Sequence, residues 1–277
     1  MLKRPKQGTF SGMTVFPGGA VDKADNEENF QLLNTKSQIK ERPSELTQFK
    51  LSSIRETFEE TGILITDKQP SLTQDELTKY RAEIINQPSE FINFLNEFNL
   101  TPQIDNLHAV SRWITPAYMK RRFDTVFFAH ILNGKEQLAS LNNSEGYQEA
   151  VQLNWETPKD WLLQQSSEEV DFMPPQFYFC QLLNNNLKTL KTLQDHLNYN
   201  NSAKSTTEET MLSGYLPNHI KIETSNIDLT AYNISLPPDY NLFYTILPGD
   251  SQYDKLQNSS IGYQKQVWTY ENVEIIN

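Results

Sequence analysis

Residues 55–62 read RETFEETG and place three carboxylates, Glu56, Glu59 and Glu60, beside Arg55. Spaced three and four apart, these side chains share one face of any helix that carries them. Like charges at that spacing repel, so the cluster costs free energy unless a cation answers it. Two answers are open from the residues alone. The face can be solvated, with Arg55 paired to Glu59 at i, i+4. Alternatively, its oxygens can hold a hard divalent cation.

The surrounding pattern supplies the element that must position them. The run SELTQFKLSSIRETFEET, 44–61, predicts a helix that starts after Pro43 and is capped by Gly62. On a wheel of about 100° per residue, Leu51, Ile54 and Phe58 share one side and the three glutamates the other. GILIT, 62–66, predicts a buried strand. Upstream, MTVF alternates like a short strand before PGG breaks it. Downstream, 71–100 predicts helix divided at Pro88. Stretches 106–115, 123–132 and 146–158 read as strands, and Thr157 is a candidate N-cap for a short helix. A single helix is expected from Pro174 to about 197, then a polar loop over 198–210, then short strands at 219–224, 241–247 and 265–276. Strands mixed with helices argue for an α/β or α+β sandwich.

Composition narrows the partners. With 277 residues and a net charge of −11, the chain is a poor candidate for bulk nucleic-acid binding. No run approaches the ~18 apolar residues of a membrane span. The N-terminal MLKRPKQGTF lacks the apolar core of a secretory signal, and the C-terminus lacks a peroxisomal Ser-Lys-Leu-type ending. The expected location is intracellular, in the cytosol or an organelle such as a peroxisome or mitochondrion. Cys180 is the only cysteine and reads as a buried, inert thiol. His108, His130, His196 and His219 show no metal-ligand spacing. Trp113 and Trp155 are expected in the core.

The segment RETFEETGI, together with the FPGG turn at 16–19, resembles the Nudix box. That pattern runs Gly, five residues, Glu, seven residues, then Arg-Glu-apolar-any-Glu-Glu-any-Gly-apolar. Thr57 stands where the family prefers an apolar residue, and Asp25, five residues beyond Gly19, stands where it has Glu. Between Asp25 and Arg55 lie 29 residues, an insertion of 22 over the family spacing, and Asp25 receives no assigned role on that account. A split box of this kind resembles the branch containing acyl-CoA diphosphatases of mammalian peroxisomes. LKR at 2–4, VFPGGAVD, RWITP, RRFDTVFF, PPQFY and LPGD at 247–250 agree with it.

The resemblance implies a Nudix fold, a mixed β-sheet sandwiched between helices, over 1–165, with 166–277 as a C-terminal helix and β-rich extension packed on it. The strand that family members carry before the turn is expected to be short, replaced by the tail, or absent, because only 16 residues precede Pro17. The insertion, 26 to about 42, is expected on the surface. The implied activity is Mg²⁺- or Mn²⁺-dependent hydrolysis of CoA or acyl-CoA to 3′,5′-ADP and (acyl-)4′-phosphopantetheine. The substrate is thus a small nucleotide; protein partners are not indicated. Glu56, Glu59 and Glu60 would hold the metal, with Glu59 also serving as base. Arg55 would orient Glu59 or another carboxylate, and Glu149 is a further candidate base. Arg4, Gly18, Gly19, Arg121 and Arg122 would contact substrate. Two other readings stand beside this one: a different nucleoside-diphosphate substrate (a dinucleotide or an RNA cap), or a Nudix-derived assembly subunit without turnover.

Overall fold

A computed structural model of the chain describes residues 1–6, 11–26, 29, 32–33, 45–115, 122–132, 152–185, 187–202, 218–222 and 242–246. It divides into two compact units, 1–109 with 128–197, and 110–127 with 198–277.

The first unit is organised around helix α1, Glu45–Thr61. Leu51, Ile54 and Phe58 are wholly buried, as the wheel requires. The chain leaves the helix at Gly62, which adopts φ 76° and donates its N–H to Phe58 O at 2.8 Å. That left-handed conformation strains residues with a Cβ, which is why glycine closes the helix here. Helices α2, Gln74–Asn86, and α3, Glu90–Glu97, cover the apolar face of α1. They are separated at Pro88, as predicted. Thr73 starts α2 through a reciprocal capping box with Glu76. An aromatic cluster joins the three helices. Phe58 stacks on Phe94 with centroids 5.5 Å apart, and Tyr80 packs on both Phe94 and Phe98. Such ring pairs add about 0.5–1.5 kcal/mol each beyond area burial.

Three antiparallel strands form the sheet of this unit, in the order β2-β1-β5: β1, Leu2–Lys3, lies between β2, Thr14–Val15, and β5, Gln152–Leu153. A strand is therefore present ahead of the FPGG turn, at Leu2–Lys3. Helix α4, Pro158–Ser166, begins at the expected N-cap, Thr157, and packs against α5, Pro174–Asn185.

Several expectations are corrected. Residues 62–66 are buried but form no strand. Ile63 N–H goes to Thr61 Oγ1, Leu64 O accepts from Gln69 Nε2, and Ile65 O accepts from Gln103 N–H. The neighbouring stretch contains Pro102, which has no N–H to extend a ladder. The helix expected over 174–197 is two helices. Asn184 and Asn185 favour local side-chain bonding over helix, and α6, Leu190–Ser202, restarts at Thr189, which exchanges hydrogen bonds with Thr192. Residues 198–202 are consequently helical rather than loop. The insertion is not wholly superficial, since Leu33 is buried in the core with Leu51 and Phe58. Most of the remaining insertion lies outside the described residues. Trp113 is buried, but Trp155 is 55% exposed. Cys180 is buried, and burial pushes its thiol up to about 12, so it is inert at neutral pH.

In the second unit, the main part of β3, His108–Ile114, pairs with β4, Asp124–Ala129. Arg112 reaches Asp124 with both Nε and Nη2. Strands β6, Asn218–Ile222, and β7, Leu242–Ile246, form an antiparallel pair with Asn218 opposite Ile246. Glu149, Arg121 and the strand expected at 265–276 lie outside the described residues. No described helix is long and apolar enough to cross a membrane.

Candidate active site

The polar face of α1 is not solvated. The side chains of Glu56, Glu59 and Glu60 are only 14, 12 and 7% exposed. They are covered by the 16–25 segment, which runs from the FPGG turn to a 3-10 turn, Lys23–Asp25. A solvated charge stripe is more exposed than this, although the Arg55–Glu59 pair expected of it is present.

Arg55 ties the segment to the helix. It is 2% exposed, and its Nε and Nη2 make a forked contact with Asp25 Oδ1 and Oδ2 at 2.9 and 2.7 Å. Its Nη1 donates to Glu59 Oε1 at 2.8 Å and lies 2.9 Å from Glu56 Oε1. Burial disfavours the guanidinium charge, but the Asp25 bonds and the two glutamates outweigh it and hold the group more firmly protonated than usual. Asp25 is itself fixed. Asp22 N–H donates to Asp25 Oδ2 at 2.9 Å, and Asp22 Oδ1 accepts from Ala24 N–H at 2.8 Å.

Asp25 thus joins this cluster, although sequence reasoning left it without a role. Its signal was its place five residues after Gly19. The long insertion obscured it, although a loop of any length can leave Asp25 and return to Arg55 without moving either.

The two glycines meet the other glutamates. Gly18 N–H donates to Glu60 Oε2 at 2.8 Å, and Arg4 Nη1 lies 4.0 Å from Glu60 Oε1. At Gly19 a Cβ would fall 2.3 Å from Glu56 Oε2, so only glycine leaves room for that carboxylate where it stands. Glu56 pays for its position: burial first, then the nearby Glu59 and Asp25 charges, raise it to about 7 against the opposing pull of Arg55.

The structure therefore gathers Arg4, Gly18, Gly19, Arg55, Glu56, Glu59 and Glu60 in one place, with Asp25 added. Arg122 belongs to the second unit, where its Nε donates to Thr115 O at 2.9 Å. A cavity of about 160 Å³ in the first unit is lined by Lys3, Thr14, Trp161, Gln164 and Glu169, and none of Glu56, Glu59 and Glu60 lines it.

The donor set fits a divalent cation in kind. Among the described ion pairs of the cluster, four carboxylates meet two guanidinium groups. The excess negative charge is shielded from water, and every donor is a hard oxygen. Glu56, Glu59 and Glu60 are the residues able to hold such an ion. As placed, they do not form a ready cage: among the described residues no three acidic, His or Cys side chains converge on one point, because Glu56 and Glu59 both turn toward Arg55.

Comparison with known proteins places the chain in a family. A profile described as the NUDT19 Nudix domain matches residues 34–183. A relative from Xenopus laevis named acyl-coenzyme A diphosphatase NUDT19 is 30% identical, with 64% of this chain and 57% of that protein covered. A human relative of the same name is 26% identical, over 67% of this chain and 60% of its own length. The chain thus spans less than two thirds of these relatives. The crystal structure of a Nudix hydrolase from Alicyclobacillus acidocaldarius superposes with a TM-score of 0.52 at 22% identity, covering 66% of this chain and 81% of that one, and shows the fold to be Nudix-like.

Proposed function

The chain belongs to the NUDT19 Nudix domain family, and from that premise we propose that it is a Mg²⁺- or Mn²⁺-dependent diphosphatase of CoA or acyl-CoA. Water would attack one phosphorus of the diphosphate and the anhydride P–O bond would break. The products would be 3′,5′-ADP and (acyl-)4′-phosphopantetheine, with the second proton of water released to solvent. The observation that carries this reading is the shielded glutamate face set against the Gly18–Gly19 turn, with more negative than positive charge in its described ion pairs. The relatives named acyl-coenzyme A diphosphatase support the choice of substrate.

Each residue has a task in this scheme. Glu56, Glu59 and Glu60 hold the cation. When bound, the cation offsets phosphate charge and lowers the pKa of the attacking water. Asp25 keeps Arg55 in place, and Arg55 aims Glu56 and Glu59. Gly18 N–H fixes Glu60, and Arg4, about one quarter exposed, stands beside it with donors to offer a phosphate oxygen. Glu59 is the candidate base, the carboxylate that would accept a proton from the attacking water.

A second reading is favoured by one observation. Arg55 occupies an oxygen of both Glu56 and Glu59, as in a site kept for structure rather than turnover. That reading makes the chain a Nudix-derived assembly subunit. The test is a product screen of purified protein on CoA, acyl-CoAs, NADH, ADP-ribose and capped RNA, with Mg²⁺, with Mn²⁺ and with chelator. Metal-dependent release of 3′,5′-ADP from CoA or acyl-CoA is the expected result. Turnover of another diphosphate alone moves the substrate assignment, and no turnover of any replaces it with the assembly reading.

A further inference from the structure

The last turn of α1 carries Glu59 and Glu60, and its end is not closed by backbone alone. Phe58 O accepts from Gly62 N–H at 2.8 Å, and Thr57 O accepts from Thr61 Oγ1 at 2.6 Å. In a continuing helix, Glu59 O would receive the N–H of Ile63. That N–H turns instead to Thr61 Oγ1 at 3.0 Å. Arg81, from α2, supplies a donor in its place, with Nη2 2.8 Å from Glu59 O.

Two further features show that this contact is built in. Arg81 is 2% exposed, a buried cation set at the negative end of the α1 dipole. Gly62 makes room for it, since a Cβ there would lie 3.3 Å from Arg81 Nη1 and 3.6 Å from Cζ. The glycine that ends the helix thus also seats the arginine. Tyr80, beside Arg81 on α2, packs on Phe94, which stacks on Phe58 of α1. The apolar face of α1 and its Glu59 carbonyl are therefore both held by α2, the first together with α3.

We infer that Arg81 is a positioning residue for the carboxylate face. It fixes the main chain at Glu59, and through that the placing of the Glu59 and Glu60 side chains, without touching substrate. The inference rests on the metal-holding role given above to the glutamates. Arg55 and Gly18 hold the side-chain ends of Glu59 and Glu60, but on a fraying last turn the main chain beneath them would still have to be ordered on binding, and affinity would fall by that cost. The buried Arg81 donor at Glu59 O meets the cost in advance.

The experiment measures Mn²⁺ binding to the full chain by titration calorimetry, with amide hydrogen exchange of residues 60–63 followed in parallel. Arg81→Met keeps most of the buried stem and removes the donors. The expected result is a folded protein whose Mn²⁺ affinity drops about 10- to 100-fold, with faster exchange at 60–63. Arg81→Lys should recover part of both. The same Arg81→Met change in a Glu60→Gln background should cost less affinity, because one of the two carboxylates it places is already lost. Unchanged affinity in folded Arg81→Met overturns the inference, as does an equal loss in both backgrounds. If Arg81→Met does not fold, Arg81→Lys carries the same decision. A wild-type chain that binds no Mn²⁺ overturns the metal reading and this role with it. Wild-type binding with an indifferent variant overturns this role alone.

Discussion

Replacing Asp25 with Ala tests whether the segment before the insertion is mechanically joined to the glutamate helix. The substitution deletes both arms of the fork, at 2.9 and 2.7 Å, and leaves Arg55 buried with only Glu56 and Glu59 as carboxylate partners. Removing one member of a buried ion pair costs about 3–5 kcal/mol. Because two carboxylates remain, the lower end applies, about 3 kcal/mol. For a domain of this size, that corresponds to a fall of about 6–12 °C in Tm. Urea denaturation followed by circular dichroism measures the loss directly, and thermal melts provide the second estimate. Asp25→Glu, which keeps the charge on a longer arm, should recover most of the stability. Turnover should fall in Asp25→Ala even at temperatures where the protein stays folded, since Arg55 no longer holds Glu56 and Glu59 in register. A loss below about 0.5 kcal/mol with wild-type turnover would refute the reasoning. It would mean that Arg55 is satisfied by the glutamates and that Asp25 bridges nothing of consequence.

Glu60→Gln keeps an oxygen for Gly18 N–H but removes a ligand charge. Turnover of whichever diphosphate the screen identifies should fall by several orders of magnitude, with Tm unchanged or higher as like-charge repulsion is relieved; wild-type turnover would remove Glu60 from the metal site. Gly19→Ala should displace the Glu56 carboxylate, the flexible end of a side chain, and so fold normally while losing about 10²-fold in kcat. An active Gly19→Ala enzyme would show that Glu56 works from another position. The pH dependence follows from Glu56, raised by burial from 4.5 to about 7. Between those values the metal-free folded chain keeps a proton that the unfolded chain has lost, so this group's contribution to stability declines as pH rises through the window. Glu56→Gln should flatten that decline, and Mn²⁺ should raise Tm more at pH 8 than at pH 5. An equal rise at both pH values would separate Glu56 from the cation.

Much of the site was legible in the chain because its signals are local. Glu56, Glu59 and Glu60 lie within one and a half turns, and helical geometry alone puts them opposite Leu51, Ile54 and Phe58. Gly62 ends that helix for a reason of backbone conformation that any sequence shows. The chemistry of the donors, hard oxygens in excess, also follows from residue type. Tertiary structure decided what these groups face. Asp25 was set aside on the length of the insertion, yet loop length only weakly constrains where two anchored ends meet, and burial of Arg55 demanded a partner that Asp25 provides. The apolar run at 62–66 was read as a strand; hydrophobicity established that it is buried, while its hydrogen bonds went to Gln69, Gln103 and a loop containing Pro102. Arg81, twenty-six residues beyond Arg55 in the chain, carried no local sign at all. A lone arginine on a polar helix reads as solvated, and only the packing of α2 on α1 turns it inward to the Glu59 carbonyl of the glutamate helix.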